Sequence, residues 1–453
     1  MKTTEELLKK YTVAAPRYTS YPTVPYWDND KFSLLGWHDD VKAAFSKAES
    51  GISIYIHLPY CESLCTYCGC NTRITKNHSV ETPYIEAVLK EWKMYRRLAT
   101  EKPVIKEIHL GGGTPTFFTP ENLELLIGGI IDGARLHPEA EFSFEAHPAN
   151  TTDEHLETLR RIGFKRLSLG IQDFDPLVQL TINRVQTYEQ VEHVTLKARE
   201  LDYTSINFDL IYGLPRQTLN GLIDTIKKVG QLMPDRIAFY SYAHVPWLKP
   251  GQRKFTEDDL PSADEKALLY ETGRKMLVDL GYEEVGMDHF ALKTDSLYTA
   301  KINQHLHRNF MGYTHQHTTM LIGLGVSAIS DIGSAYAQNA KTVEEYIDLI
   351  AADVLPVVKG HFMTDEDIAI KRHMLNIMCR NRTAWRFLAE PFESVFNSLE
   401  RMSKLEADGL IHVDADGLAV THTGQRFLRN ICMTLDARLW ANKPATQLFS
   451  MAG

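Results

Sequence analysis

The chain has 453 residues, with 49 Lys and Arg against 58 Asp and Glu and a formal charge of −9. Apolar residues make up 44% and charged residues 24%, and neither Gly (27) nor Pro (19) is enriched, which excludes collagen-like and low-complexity chains. No apolar run approaches the roughly 18 residues that a membrane-spanning helix needs, the charged start MKTTEELLKK reads as neither a signal nor a transit peptide, and the acidic balance gives no general attraction for nucleic acid or anionic lipid.

In chain order, residues 1–50 come first. They carry RYTSYPTVPYW, too rich in Pro and aromatic residues for a regular element, and read as an ordered extension packed on the main domain. From residue 51 to 359 short apolar, β-rich runs recur: SIYIHL (53–58), IKEIHL (105–110), EFSFEA (141–146), RLSLGI (166–171), INFDLI (206–211) and RIAFYSY (236–242). Helix-like stretches fill the gaps: Thr82 to Leu98, one opened by Pro120 and Glu121, Asp153 to Ile162, Tyr188 to Leu201, and Leu219 to Leu232. Alternation of this kind, at spacings of about 25–50 residues, predicts a parallel α/β sheet with right-handed crossovers, open or curled into all or part of a barrel.

Residues 360–453 differ. Thr364 opens a helix with Asp365, Glu366 and Asp367 in its first turn, where acidic groups suit the helix dipole. A second helix is expected from about Pro391 to Ala407. Gly409–Val413 and Leu418–His422 flank Asp416–Gly417 as a hairpin, and a last helix follows Thr423. This reads as a small helical, winged-helix-like module. The segment is not basic, so a structural cap is favoured over DNA binding. No repeat of 20–50 residues recurs, which argues against solenoids and propellers.

The cysteines carry the strongest chemical signal. Cys61, Cys65, Cys68 and Cys70 crowd one short loop after the first predicted strand, while Cys379 and Cys432 sit in apolar helical patterns and read as buried thiols. Without an export signal, clustered thiols point to a metal or cluster rather than disulfides. Three thiolates spaced CxxxCxxC can wrap one face of a cube-shaped iron–sulfur cluster. Structural zinc would want a fourth ligand, usually in a second pair farther downstream. Cys70 could supply it only through a C-x-C step that strains a single site. A cluster held by three cysteines leaves one iron open to a chelating substrate.

Three further signals follow. Gly111-Gly112-Gly113-Thr114-Pro115 comes after the second strand, where glycines let backbone approach a ligand closely. Glu145, Gln172 and Asp209 stand at or near the carboxyl ends of otherwise apolar strands, the end at which barrel enzymes gather their active-site groups. Among basic residues, Arg184 is the best placed to clamp a carboxylate. Arg17, His305, His307 and Arg308 read more readily as solvated surface groups.

The CxxxCxxC spacing resembles the radical S-adenosylmethionine enzymes. Taken with Cys70, GGGTPT (111–116), SLGIQDF (168–174), FDLIYGLP (208–215), HRNFMGYT (307–314) and PRYTSYPT (16–23), it resembles the oxygen-independent coproporphyrinogen III oxidases over nearly the whole chain. Haem chaperones of the same superfamily are the rival likeness. They carry an aromatic residue where Cys70 stands and lack the N-terminal extension. The resemblance implies a partial (β/α)6 barrel and a cytoplasmic monomer. It implies one [4Fe-4S] cluster on Cys61, Cys65 and Cys68, with Cys70 nearby but not a ligand. Tyr55, Gly112, Glu145 and Ile329 would contact the cluster-bound S-adenosylmethionine. Tyr67, Gly113, Thr114, Gln172, Arg184, Asp209 and Ala243 would line a second S-adenosylmethionine site. Tyr55, Cys70 and Arg184 would take part in the chemistry. The implied reaction turns two propionates of a porphyrinogen into vinyl groups, by hydrogen abstraction with a 5′-deoxyadenosyl radical and loss of carbon dioxide. A flavodoxin- or ferredoxin-type donor and an unnamed acceptor would handle the electrons.

Overall fold

The structure is a computed structural model that describes residues 3–385, 392–444, 446 and 448–452. All six expected strands are present, as Ile52–Leu58, Val104–Gly112, Arg135–Ala146, Phe164–Gln172, Ser205–Tyr212 and Arg236–Ser241. They lie side by side in that order, each parallel to the next. The connecting helices are Glu81–Arg96, Pro120–Asp132, Asp153–Arg161, Tyr188–Glu200 and Leu219–Leu232. Their starts are fixed locally. Thr119 caps the helix that Pro120 opens, and Thr152 and Thr187 each form a reciprocal capping box with the residue three positions on.

The sheet extends beyond the predicted unit on both sides, to twelve strands. A seventh parallel strand, Leu321–Leu324, pairs with the first strand and leads into antiparallel strands at Ile329–Asp331, Ala335–Asn339 and Val357–Phe362. Past the sixth strand, His289–Ala291 and Glu283–Gly286 add antiparallel. These short strands follow helices and loops without a clean run of alternation, so the sequence pattern did not announce them. Val357–Phe362 crosses the boundary expected between residues 359 and 360.

Parallel strands covered by helices are usually apolar on both faces. Here they alternate. Phe142, Leu169, Ile206 and Phe208 turn outward into the main core. Their neighbours Ser143, Glu145, Ser168, Asn207 and Asp209 turn inward. The interior is therefore a polar cavity rather than the packed core of a closed barrel. Ion pairs close its floor: Arg166 with Glu141, His315 with Glu141 at 3.2 Å, and Arg236 with Asp295 at 2.7 Å. A two-stranded hairpin, His307–Asn309 and Gly312–Thr314, adds to the wall.

The terminal regions close the open side. The aromatic N-terminal segment takes only a short turn, Val24–Tyr26, but residues 1–50 also hold two helices that were not anticipated, Thr4–Tyr11 and Leu34–Lys47. The C-terminal module has helices Asp365–Arg380, Glu393–Ala407 and Leu428–Leu435 and a three-stranded sheet. Pro391, the expected start of the second helix, lies outside the described residues. Leu7, Tyr18 and Tyr21 from the first region share one apolar cluster with Ile370, Met374, Ile377 and Ile431 from the last. Cys379 and Cys432 are buried there, as expected of inert thiols.

Candidate active site

The cysteine loop is pinned at both ends to the barrel rim. Thr75 N–H donates to Cys61 C=O at 2.9 Å, and Arg73 N–H to Pro59 C=O at 2.8 Å. Across the rim, Thr66 N–H donates to Ile182 C=O at 2.9 Å, and Asn183 Nδ2 to Leu64 C=O at 2.8 Å. Cys61, Cys65, Cys68 and Cys70 all line a cavity of about 530 Å³. Their surroundings differ. Burial pushes the Cys61 thiol up to about 11 and raises Cys65 despite the Arg184 charge. Cys68 is drawn below the usual thiol range by hydrogen bonds from Cys70, whose own thiol is pushed up by the same contact. Cys68 Sγ accepts from the Cys70 N–H at 3.4 Å.

The glycine loop abuts the cysteine loop. Gly113 N–H donates to Leu58 C=O at 2.8 Å and Thr114 N–H to Tyr60 C=O at 3.0 Å. Thr114 Oγ1 lies 3.3 Å from Cys61 Sγ. Gly112 has φ of +116°, and a Cβ there would meet the His57 ring at 2.8 Å; at Gly113 a Cβ would meet Pro59 O at 2.6 Å. Both positions exclude side chains for steric reasons. This is a cradle whose backbone stays open to the cavity.

The strand-end polar groups Glu145, Gln172 and Asp209 face one cavity. Glu145 accepts from Gly112 N–H at 3.3 Å and lies 3.5 Å from His109 Nε2. Burial works against its charge, but His109, the Gly112 N–H and His57 together hold it below the usual carboxylate range. Asp209 behaves oppositely. Burial and the Glu145 charge push it up to about 7, although Asn207 and Ser168 donate to its oxygens at 2.8 and 3.2 Å. Two carboxylates of one cavity are thus set apart in acidity by their neighbours. Arg184 donates twice to Gly170 C=O, at 3.1 and 2.6 Å, and its remaining nitrogen faces Cys65 Sγ at 3.8 Å. Gln172 closes its strand with φ of +68° and faces the same cavity.

Tyr67, Gly112, Gly113, Thr114, Glu145, Gln172, Arg184 and Asp209 all line the cavity with the cysteines. Tyr55, Ala243 and Ile329 are not on its wall. Tyr55 stands one layer behind, stacked on His109 with ring centroids 5.9 Å apart. Its hydroxyl donates to His57 Nδ1 at 3.0 Å, and His57 Nε2–H donates to Asn71 C=O at 2.8 Å. Ala243 C=O accepts from Gln252, which also donates to Tyr67 C=O. His57, His109, Ser168 and Asn207 went unread in the sequence. The period-2 alternation in EFSFEA, RLSLGI and INFDLI was the signal that could have found the last two. Among the basic candidates, Arg17 donates to Ser241 C=O at 3.0 Å and His305 is exposed. The expectation of a solvated surface group fails for Arg308, which is only 8% exposed, because the hairpin turns it inward against the C-terminal helices.

Residues 55–229 match the radical SAM superfamily. An oxygen-independent coproporphyrinogen III oxidase of Synechocystis sp. is 37% identical over 460 residues, covering 99% of this chain and 97% of the relative. The oxidase of Escherichia coli strain K12 is 36% identical over 449 residues, with 98% and 97% covered. A solved structure of coproporphyrinogen III oxidase from Escherichia coli, described as a radical SAM enzyme, superposes with a TM-score of 0.89 at 35% identity, covering 95% of this chain and 98% of that one.

Proposed function

The chain belongs to the oxygen-independent coproporphyrinogen III oxidases of the radical SAM superfamily, and we propose that it oxidatively decarboxylates coproporphyrinogen III to protoporphyrinogen IX in haem synthesis. The observation that carries this reading is the meeting of three loop thiols, a glycine cradle and the Glu145, Gln172 and Asp209 side chains in one cavity. The donor set fits the group the family implies. Cys61, Cys65 and Cys68 would hold a [4Fe-4S] cluster with one iron left to S-adenosylmethionine. Bound together, the two supply a one-electron cleavage that yields a hydrogen-abstracting radical.

This chain's own residues bind, orient and shield. Gly112 and Gly113 let backbone meet the ligand's polar end. Glu145, already accepting the Gly112 N–H, offers its anionic oxygens to an ammonium or ribose hydroxyl. Tyr55 backs this wall through His109, and a contact of the same ligand with Ile329, which stands off the wall, is carried by the family resemblance alone. Tyr67, Gly113, Thr114, Gln172, Arg184, Asp209 and Ala243 are proposed to form a second S-adenosylmethionine site. Arg184 is held in place by Gly170 and keeps a planar edge for a carboxylate. Each reacting propionate loses a hydrogen atom from its β-carbon, then carbon dioxide and one electron, leaving a vinyl group. The electron passes to an external acceptor, and a flavodoxin- or ferredoxin-type carrier supplies the reducing electron. A cytoplasmic monomer suits this chemistry.

Iron analysis of anaerobically reconstituted protein tests the assignment. About four irons per chain are expected, lost in Ala variants of Cys61, Cys65 or Cys68. Cys70→Ser should keep the iron and lose decarboxylation. Stoichiometric zinc without iron would overturn the cluster. Iron loss in Cys70→Ser as complete as in Cys65→Ser would make Cys70 a ligand and remove the open iron.

A further inference from the structure

A second cavity, of about 210 Å³, lies behind the hairpin and is lined by Arg308, His307, His317, Thr318, Lys371 and Tyr18 among others. Asn309 lines this cavity and the reaction cavity alike, so the two cavities meet at the hairpin strand. The volume is below the roughly 300–1,000 Å³ of pockets that take whole ligands. It suits a side arm.

Arg308 is its unusual feature. The residue is 8% exposed, and its guanidinium carbon sits 4.6 Å from the ring centroid of Tyr313. Its Nε is buried without a hydrogen-bond partner. A buried cation is costly unless it is paired. Among the described residues no carboxylate forms an ion pair with it. Asp331 is bonded to Lys371 at 2.7 Å. Asp288 lies in the shared field of Arg17, Arg429, Arg308 and Lys266, and burial still raises it above the usual carboxylate range. Burial pushes His307 down to about 3, so it adds no charge but stays able to hydrogen-bond. Cations outnumber anions along this edge, in a chain that is acidic as a whole.

We propose that this cavity is a carboxylate subsite in which Arg308 binds a propionate of the substrate that the reaction leaves intact. The proposal rests on the decarboxylase reading, under which the substrate brings four carboxylates and only two react. An anchored spare arm would fix which edge of the macrocycle faces the cysteine loop. Arg308 is then a binding residue for orientation, and its missing partner arrives with the substrate.

Steady-state turnover of coproporphyrinogen III by reconstituted wild type, Arg308→Met and Arg308→Lys tests this. Arg308→Met should raise KM at least tenfold, with iron content and S-adenosylmethionine affinity unchanged. Its thermal midpoint without substrate should hold or rise, because an unpaired buried charge has been removed. Arg308→Lys keeps the charge but loses the fork, and should raise KM severalfold; if the Met variant fails to fold, this variant decides. On the wild type, coproporphyrin III should stabilise against heat more than a porphyrin with two propionates, and Arg308→Met should erase that difference. A wild-type KM in the folded, iron-loaded Arg308 variants would overturn the subsite and leave the activity demonstrated. Absence of turnover by the wild type would overturn the decarboxylase reading itself, and the subsite with it.

Discussion

Glu145 and Arg184 show how single side chains are set for their tasks. Glu145 is held ionised beside the glycine cradle by His109 and a backbone N–H, while Arg184 is clamped by one carbonyl and aimed at the cysteine loop. Charge-assisted hydrogen bonds contribute roughly 1.5–3 kcal/mol, about one to two orders of magnitude in affinity. Glu145→Gln should therefore weaken S-adenosylmethionine binding by about that factor with iron content intact. Arg184→Lys should also be impaired, since an ammonium cannot replace a planar fork that bonds Gly170 and still faces Cys65. Anaerobic binding and turnover beside iron analysis checks both. Wild-type values in both variants would make these residues ordinary strand-end groups.

The helix Glu81–Arg96 illustrates what an element owes to partners distant in sequence. Glu91 on its buried face accepts from Gly325 N–H at 2.8 Å, Asn339 Nδ2 at 2.7 Å and Tyr346 Oη at 2.7 Å, tying the helix to the antiparallel side of the sheet. Burial pushes Glu91 up to about 7 against those hydrogen bonds. A carboxyl raised in the fold binds its proton more tightly there than in the unfolded chain. Its contribution is fullest below about pH 4 and falls as pH rises toward 7, by on the order of 3 kcal/mol. The stability of wild type minus that of Glu91→Gln should fall between pH 4.5 and 8, measured by denaturant titration; a flat difference would contradict the raised value. Nothing local in WKMYRR or LKEW marks Glu91, because its partners arrive from more than two hundred residues away. The six parallel strands were legible for the opposite reason: each carries its own apolar run, and the connecting helices that open at Pro120, Asp153, Tyr188 and Leu219 each carry their own side-chain cap. The cysteine and glycine loops were legible through spacing within one segment. His57, His109 and Arg308 were not, since only the assembled sheet and hairpin show which way they face. The seventh parallel strand, LIGL, is short and separated from its partner strand by most of the chain.

At the scale of the whole molecule, the terminal regions complete what the barrel leaves open. Asp367 joins three regions: Arg438 donates to both its oxygens at 2.7 Å, His361 of the last sheet strand lies 3.1 Å away, and that same histidine accepts from the Asp28 N–H at 3.0 Å. Burial opposes the charge, but His361 and Arg438 hold Asp367 well below the usual carboxylate range. A depressed acid contributes stability above about pH 4 that is lost as pH falls through its folded value. Asp367→Asn breaks a buried pair and should cost roughly 3–5 kcal/mol at neutral pH, read from the denaturation midpoint; an unchanged midpoint would show that the junction does not hold the regions together. The substrate subsite at Arg308 draws walls from the N-terminal segment, the hairpin, residues 317–321 and the helix Asp365–Arg380, so it depends on this junction. The account's central claim concerns the reaction performed in the cavity beside the cysteine loop. The direct test is anaerobic incubation of the reduced, reconstituted protein with S-adenosylmethionine and coproporphyrinogen III, followed by analysis of the tetrapyrrole. Protoporphyrinogen IX, with two vinyl groups and matching release of methionine and 5′-deoxyadenosine, is the predicted result. Unchanged substrate from iron-loaded protein, with haem retained on the chain instead, would contradict it.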